Sequence, residues 1–464
     1  MLIDVHAKRR HAIHGTPGRL ACITSLKQGF PVNFKHLIAA TVLLLGTRAG
    51  IAKADGTFIP ASQRTDMVYD AQRDLIYIAN GTSVLRYDIT QAGFLTPINL
   101  GGQLMGMDLS PDGNTLAVAD TSTDGTNEWV HLVNLNSLVD TKVNEPLDSG
   151  TIGGLYGTWA VAYAADGSLL VTSRYDGSGF VPLLRLINGQ WSTISNDVQQ
   201  NTMVSASGDG QVVGFAESNI SDGRWGAYFL QSGNFVERTG YTDGTSWFNY
   251  EIGTNFNGSQ FAIPTYGGAY IYDGSYNLLT VLGTYAGEQP VGVAYHPVAN
   301  LVFFPWEGTS EVRVYDTTNF NELGSYDFQD TFQPNGNGAF VQGRTRLSAD
   351  GSLLMVSVTG GVRFLRMYSP LAARTITVNA PRFTVITLKG SIGNGGALSY
   401  ALVSGPTHGS VRISGNRATY IATGNFTGTD SFTYSVNYGR ATATATVSLN
   451  PPAKREPTPL SGTN

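Results

Sequence analysis

The sequence predicts an all-β protein: a seven-bladed β-propeller followed by a smaller β-sandwich. Three observations lead there. The 464 residues hold 14% charged side chains against 42% hydrophobic and 11% aromatic, with 56 Gly and 19 Pro. That is the composition of strands joined by turns, and it excludes a coiled coil, a collagen-like fibre and a disordered chain. A short turn motif recurs seven times between apolar runs. The repetition stops near Arg374, where a second strand pattern begins.

Residues 1–54 read as a leader. They carry eight Lys/Arg and a single acid, Asp4. The apolar run Leu37 to Leu45 follows Lys35, and Ala52-Lys53-Ala54 supplies small residues at the positions a signal peptidase reads. A basic region, a short apolar core and such a site make a secretory signal peptide. The apolar run is too short to span a bilayer. Export to the periplasm, the cell surface or the medium is therefore expected.

Without the leader the chain keeps 21 basic and 33 acidic residues, a net charge of −12. An acidic surface repels phosphate backbones, so nucleic acid is not an expected partner. The one cysteine, Cys22, lies in the leader, which leaves no disulfide and no cysteine ligand downstream. No later apolar stretch is long enough to cross a membrane, so no transmembrane segment is expected in the mature chain.

Residues 55–372 carry the repeats. The turns are Tyr69 to Asp74, Ser110-Pro111-Asp112-Gly113, Ala164-Ala165-Asp166-Gly167, Ser207-Gly208-Asp209-Gly210, Asn255-Phe256-Asn257-Gly258, His296 to Asn300 and Ser348-Ala349-Asp350-Gly351. Asp-Gly and Asn-Gly suit tight turns because Gly tolerates positive φ. Each turn follows one apolar run and precedes another, and a third run often comes after a polar loop. Three to four strands in each repeat of forty-odd residues describe a propeller blade. The last repeat is one strand short, and the segment Thr57 to Ser62 is expected to supply it and close the ring.

Ile76-Tyr77-Ile78-Ala79-Asn80 is followed by Val84-Leu85-Arg86-Tyr87-Asp88, and Leu301-Val302-Phe303-Phe304 by Glu311 to Asp316. These pairs resemble the YVTN-type, WD40-like propellers over most of residues 66–371, fading in the fourth and fifth repeats. The resemblance implies the fold. It leaves function open, because such propellers host binding, scaffold and enzyme roles.

Residues 373–450 form the second pattern. Ser399 to Val411, Ala418-Thr419-Tyr420 and Gly424 to Val436 resemble bacterial Ig-like, cadherin-like repeats of large secreted and surface proteins. About seven short strands suit a sandwich, and the alternation Ser431-Phe432-Thr433-Tyr434-Ser435-Val436 reads as a half-buried strand. The resemblance implies an acidic calcium loop at Gly390 to Ala397, but no carboxylate stands there. The tail 451–464 is Pro-rich and polar, and is expected to be disordered.

Chemistry is sparse. His131, His296 and His408 are the histidines outside the leader, scattered over a strand, a turn and the second domain, which does not suggest zinc. No nucleophile elbow and no phosphate-binding loop occurs. Asp120, Ser122, Asp124 and Glu128 space oxygens through one loop in partial imitation of a calcium loop. A plain solvated loop is the first expectation there, and calcium the alternative.

The loops opposite the repeat turns gather Tyr156, Trp159, Arg174, Tyr175, Glu217, Arg224, Trp247, Tyr250, Tyr266, Trp306, Glu307 and Arg344. Aromatic faces beside Arg and Glu suit a polar ring or a peptide. Trp159, Arg174, Tyr175, Trp247, Tyr266, Trp306 and Arg344 are the expected ligand contacts. The expected function is an exported, non-enzymatic binding or adhesion-type protein whose partner is a protein, peptide or carbohydrate, with the Ig-like domain as spacer or attachment. A lactonase- or lyase-type enzyme using Arg174, Glu217, Glu307 and Arg344 is one alternative. A structural component of a surface assembly is another.

Overall fold

The computed structural model describes residues 56–451 except 148–154, 176–179, 200, 219–222, 239–248, 284–288, 298, 334–339, 341–342, 368–371, 381, 392–397, 425–427 and 439–440. The expected leader, and the expected tail beyond residue 451, lie outside the described residues.

The described strands before residue 367 pair into seven four-stranded antiparallel sheets. Six take their four strands in chain order, over residues 64–99, 104–146, 155–199, 202–238, 253–282 and 294–327. The innermost strand of each touches the innermost strand of the next, and the last touches the first, Arg64–Asp70. This closed ring of sheets is the seven-bladed propeller read from the sequence. The seventh blade has three strands of its own, between Thr345 and Arg366. Its fourth is Thr57–Pro60, paired antiparallel with Gly361–Arg366. An N-terminal strand thus closes the sheet that the C-terminal end of the propeller leaves open.

Burial explains the strand sequences. The second strand of each blade lies between neighbouring sheets and is covered on both faces. Val212–Glu217 and Leu353–Val358 are buried at every residue. A strand covered on both sides needs a continuous apolar run rather than alternation. The outer strands are half exposed, as Gly93–Asn99 is, and they mix polar and apolar residues.

The repeat turn is a self-contained circuit. Ser110 Oγ donates to Asp112 Oδ1 at 2.6 Å, the Asn114 N–H reaches the same oxygen at 3.0 Å, and the Thr115 N–H reaches Ser110 Oγ at 2.9 Å. The circuit recurs with Ser207 and Asp209, and again with Ser348 and Asp350. The glycine that follows has φ of 69°, 68° and 71° in the three copies, a region that costs other residues dearly. The motif is therefore local chemistry that fixes each hairpin without help from its neighbours. Neighbouring turns are also tied. Gln72 Nε2 donates to the Asp112 carbonyl at 2.8 Å, and the Asp209 N–H to the Phe256 carbonyl at 2.9 Å.

The C-terminal domain packs a four-stranded sheet (Ile376–Asn379, Ala441–Asn450, Asp430–Tyr438 and Ser399–Ser404, in that order) with a three-stranded one (Phe383–Thr387, Arg417–Ala422 and Gly409–Ser414). Phe432, Tyr434 and Val436 are buried between them, as the alternation predicts. Asp430 accepts hydrogen bonds from the Thr407 and His408 N–H groups at 2.9 and 3.0 Å and from the Tyr420 hydroxyl at 3.1 Å. It thereby caps the bend in Gly405-Pro406-Thr407-His408. Among the described residues no helix is long and apolar enough to cross a membrane.

Candidate axial binding site

Three buried acids stand in or just ahead of innermost strands: Asp66, Asp108 and Glu251. Each carboxylate reaches the backbone of the next blade. Asp66 Oδ2 accepts the Met107 N–H at 3.0 Å, Asp108 Oδ2 the Tyr163 N–H at 2.8 Å, and Glu251 Oε2 the Val293 N–H at 3.1 Å. Between the fourth and fifth blades a hydroxyl does the same work: Ser205 Oγ accepts the Thr254 N–H at 3.3 Å, and Thr254 Oγ1 donates to the Ser205 carbonyl at 2.9 Å. Innermost strands of neighbouring blades cannot form a ladder with one another. These side chains satisfy N–H groups that would otherwise be buried unpaired, which is costly.

Two arginines from the seventh blade enter this ring. Arg344 Nε lies 3.1 Å from Asp66 Oδ1, and its Nη1 pairs with Glu251. Arg346 holds Asp66 with two nitrogens, at 3.1 and 2.6 Å, and donates to the Met107 carbonyl at 2.9 Å. Burial alone would raise the Asp66 carboxyl, but the two guanidiniums overcome it and hold it down at about 2. For Glu251 burial wins over Arg344, and its carboxyl is pushed up. Burial works against the charge on Arg346 too, yet Asp66 beside it keeps that guanidinium firmly protonated.

The ring borders a cavity of about 200 Å³. Turn residues Gln72, Pro111, Gly208, Pro297 and Ala349 line one part of it, so it lies toward the face that carries the repeat turns. Asp108, Glu251, Arg344 and Arg346 line another part, with Val68, Val204 and Val293 as an apolar wall.

Of the residues expected from the sequence, Arg344 lines this cavity. The others sit elsewhere. Trp159 is buried edge-on against Phe340, with ring centroids 5.4 Å apart. Trp306 is buried and stacks on Tyr315, while Arg313 covers its ring at 4.4 Å. Tyr250 is buried and Tyr266 half-buried in one apolar cluster between blades. Glu217 is buried at the end of its strand, near Arg224 and Trp225 around a small recess. Arg224 lies 3.7 Å from Glu237 and over the Phe180 ring. Glu307 pairs by its backbone with Gln289, whose amide reaches the Tyr250 hydroxyl at 3.4 Å. Arg174 lies one residue before the end of the second strand of the third blade, Leu169–Tyr175, half-buried. Trp247 and the side chains of Tyr156 and Tyr175 lie outside the described residues.

The four calcium candidates do not face one another. Asp120 points inward. It accepts from the Trp129 indole at 2.9 Å and the Gln103 N–H at 2.8 Å, and lies 3.3 Å from His131 Nε2. Asp124 faces solvent and caps Thr126 and Asn127. Ser122 donates its backbone N–H to Asp120 at 2.9 Å. Glu128 is buried, accepts from the Ser173 hydroxyl at 2.8 Å, and is pushed up to about 7 by burial. Among the described residues no three of His, Cys, Asp and Glu converge on one point.

Asp66, Asp108, Glu251 and Arg346 escaped the sequence reading. A signal was present: each acid adjoins apolar residues two to four positions ahead of a repeat turn. An isolated acid there has to be paired or bonded once the strand is buried.

No curated protein matches the chain in sequence. Among solved structures, a chain of the mitotic checkpoint complex is similar with a TM-score of 0.51 at 12% identity, covering 75% of this chain and 99% of that one. A chain of the Kuenenia stuttgartiensis hydrazine synthase has a TM-score of 0.49 at 14% identity, covering 68% and 99%. The first likeness is one of propeller-like fold alone. Residues 368–450 match the bacterial Ig domain family.

Proposed function

We propose that the chain is an exported, non-enzymatic binding protein that holds its ligand in the axial cavity, with the Ig-like domain as spacer or attachment. One observation carries this reading. The charged groups around the cavity are committed to one another and to the neighbouring blades' backbone. An acid–base catalyst needs a group that exchanges its proton with substrate. Asp66 and Glu251 instead spend both oxygens on internal donors. Groups locked in this way keep a rigid, preformed wall, which favours binding. The basic leader and its Ala52-Lys53-Ala54 site support export.

Two measurements test the reading. Mass spectrometry of a ligand recovered after prolonged incubation should return it unchanged; a ring-opened or eliminated product would put a lactonase or lyase in its place. The N-terminus of the protein recovered outside the cytoplasm should be Asp55. An intact leader on a cytoplasmic protein would remove export.

A further inference from the structure

Away from the axial cavity, whose wall includes Val204 and Ser205, two acids meet at the seam between the second and third blades. We propose that Glu128 and Glu145 bind a calcium ion there, at a site separate from the axial one.

The strand ladder brings the two acids together. Glu128 on Asn127–Asn134 stands directly opposite Glu145 on Asp140–Pro146. Opposed residues of an antiparallel pair share a face, with Cβ atoms about 4.5–5.5 Å apart. Two residues along, Val130 and Val143 are opposed on the same face and pack into the cluster shared with the third blade. That face therefore looks onto Leu169–Tyr175, from which the Ser173 hydroxyl donates to Glu128 Oε1 at 2.8 Å.

The pair is short of positive charge and of one bond. Glu128 is 1% exposed, and its Oε2 has no hydrogen-bond partner among the described residues. Burial raises its carboxyl, Ser173 opposes that, Glu145 adds to it, and no cation acts on it. Glu145 is half-buried, and burial raises its carboxyl too. Arg174 follows Ser173 and so falls on the side of Thr172, whose hydroxyl donates to the Thr202 carbonyl of the fourth blade. Like charges opposed across a ladder are destabilising. Protonating Glu128 would remove its charge but leave a buried hydroxyl without an acceptor. A cation answers both deficits.

Calcium suits these donors. It takes carboxylate and neutral oxygens in flexible geometry and completes its shell with water, and half-buried Glu145 keeps the site open to solvent. The Ser173 hydrogen bond fixes the Glu128 carboxylate, as an oriented metal ligand requires. Of the loop considered above only Glu128 takes part, because Asp120 and Asp124 are bonded elsewhere.

The test is equilibrium dialysis of the chelator-washed protein against radioactive calcium, with melting temperatures read in parallel. Calcium should bind with a dissociation constant of about 10⁻⁴–10⁻³ M, the range of extracellular modules, and should raise the melting temperature. Magnesium, which sheds its water reluctantly, should bind about tenfold more weakly. Glu145→Gln should weaken calcium about tenfold or more, while its chelator-washed melting temperature stays level or rises because a like-charge contact is gone. Glu128→Gln should weaken calcium as well; if that buried change prevents folding, the half-buried Glu145→Gln decides alone. Asp124→Asn should bind calcium as the wild type does. No calcium bound by the wild type would overturn the proposal. So would calcium bound equally by Glu145→Gln, which would put the ion elsewhere on the acidic surface, or magnesium bound as tightly as calcium.

Discussion

Asp66 and Arg344 stand 278 residues apart in the chain and form a buried ion pair, with Arg344 Nε 3.1 Å from Asp66 Oδ1. The pair joins the first blade to the seventh. Arg344 continues to Glu251, and Asp66 continues to Arg346 and the Met107 backbone. One network thus spans the first, second, fifth and seventh blades around the axis. Closure of the ring and the shape of the cavity are the same physical event.

Removing Asp66 should therefore be severe. Asp66→Ala leaves the buried Arg344 and half-buried Arg346 guanidiniums short of a counter-charge and the Met107 N–H short of an acceptor. Breaking a buried pair in this way costs about 3–5 kcal/mol. Urea unfolding monitored by tryptophan fluorescence would measure it. A loss below about 1 kcal/mol would mean that the network is not structural.

The N-terminal strand makes a second case. Ile59 is fully buried beside Val362 and Phe364 on the strand it completes. Ile59→Ala should cost about 2–5 kcal/mol, the range for a core cavity. Deleting residues 55–63 should lower the melting temperature sharply, because it opens a sheet edge as well as the core. An unchanged melting curve for the deletion would show that the ring closes without this strand.

His296 should make stability depend on pH. It is buried, and its Nδ1 accepts the Ala299 N–H at 2.9 Å. Burial, opposed by Asp350, lowers it from 6.5 to about 4. The unfolded chain then takes up a proton before the folded one does. The stability this group contributes is complete above about pH 6.5 and is lost as pH falls toward 4, by up to about 3 kcal/mol. His131 runs the other way. Burial lowers it, but Asp120 and Asp140 overcome that and raise it, so its contribution is complete below pH 6.5 and fades as pH rises through the folded value. Chemical denaturation of His296→Asn and of the wild type, compared from pH 4 to 8, should give curves that diverge below pH 6.5. Parallel curves would place His296 in solvent.

In the C-terminal domain, Asp430→Ala should cost about 1–3 kcal/mol, because two backbone N–H groups and the Tyr420 hydroxyl lose their acceptor. Asp430→Asn should recover part of the loss by keeping one acceptor oxygen. Calorimetry of both variants checks this. Equal effects from the two would point to charge rather than hydrogen bonding.

The sequence disclosed what local chemistry determines. Ser110, Asp112 and Gly113 complete their turn alone, so the repeat could be read wherever those residue types recur. It faded where local signals thin out. Of the fourth and fifth repeats, where the resemblance faded, the fifth has an innermost strand of only two residues, Gly253–Thr254, too short to show a pattern. The site was largely hidden for a different reason. Asp66, Glu251 and Arg344 meet only through ring closure, and no spacing in the chain brings them together. Trp159 and Trp306, which looked like ligand platforms, pack on Phe340 and Tyr315 instead. An aromatic in a loop entering a blade looks the same in sequence whichever it does.

Where a ligand binds is best tested by a broad thermal-shift screen run in parallel on four proteins: the wild type, Ser205→Leu, Trp306→Ala and Arg174→Ala. Stabilisation reports preferential binding to the folded state. A ligand held in the axial cavity stabilises the wild type, Trp306→Ala and Arg174→Ala by similar increments and leaves Ser205→Leu unmoved. A ligand that still stabilises Ser205→Leu but not Trp306→Ala or Arg174→Ala would put the binding surface on the face opposite the repeat turns and contradict the axial site.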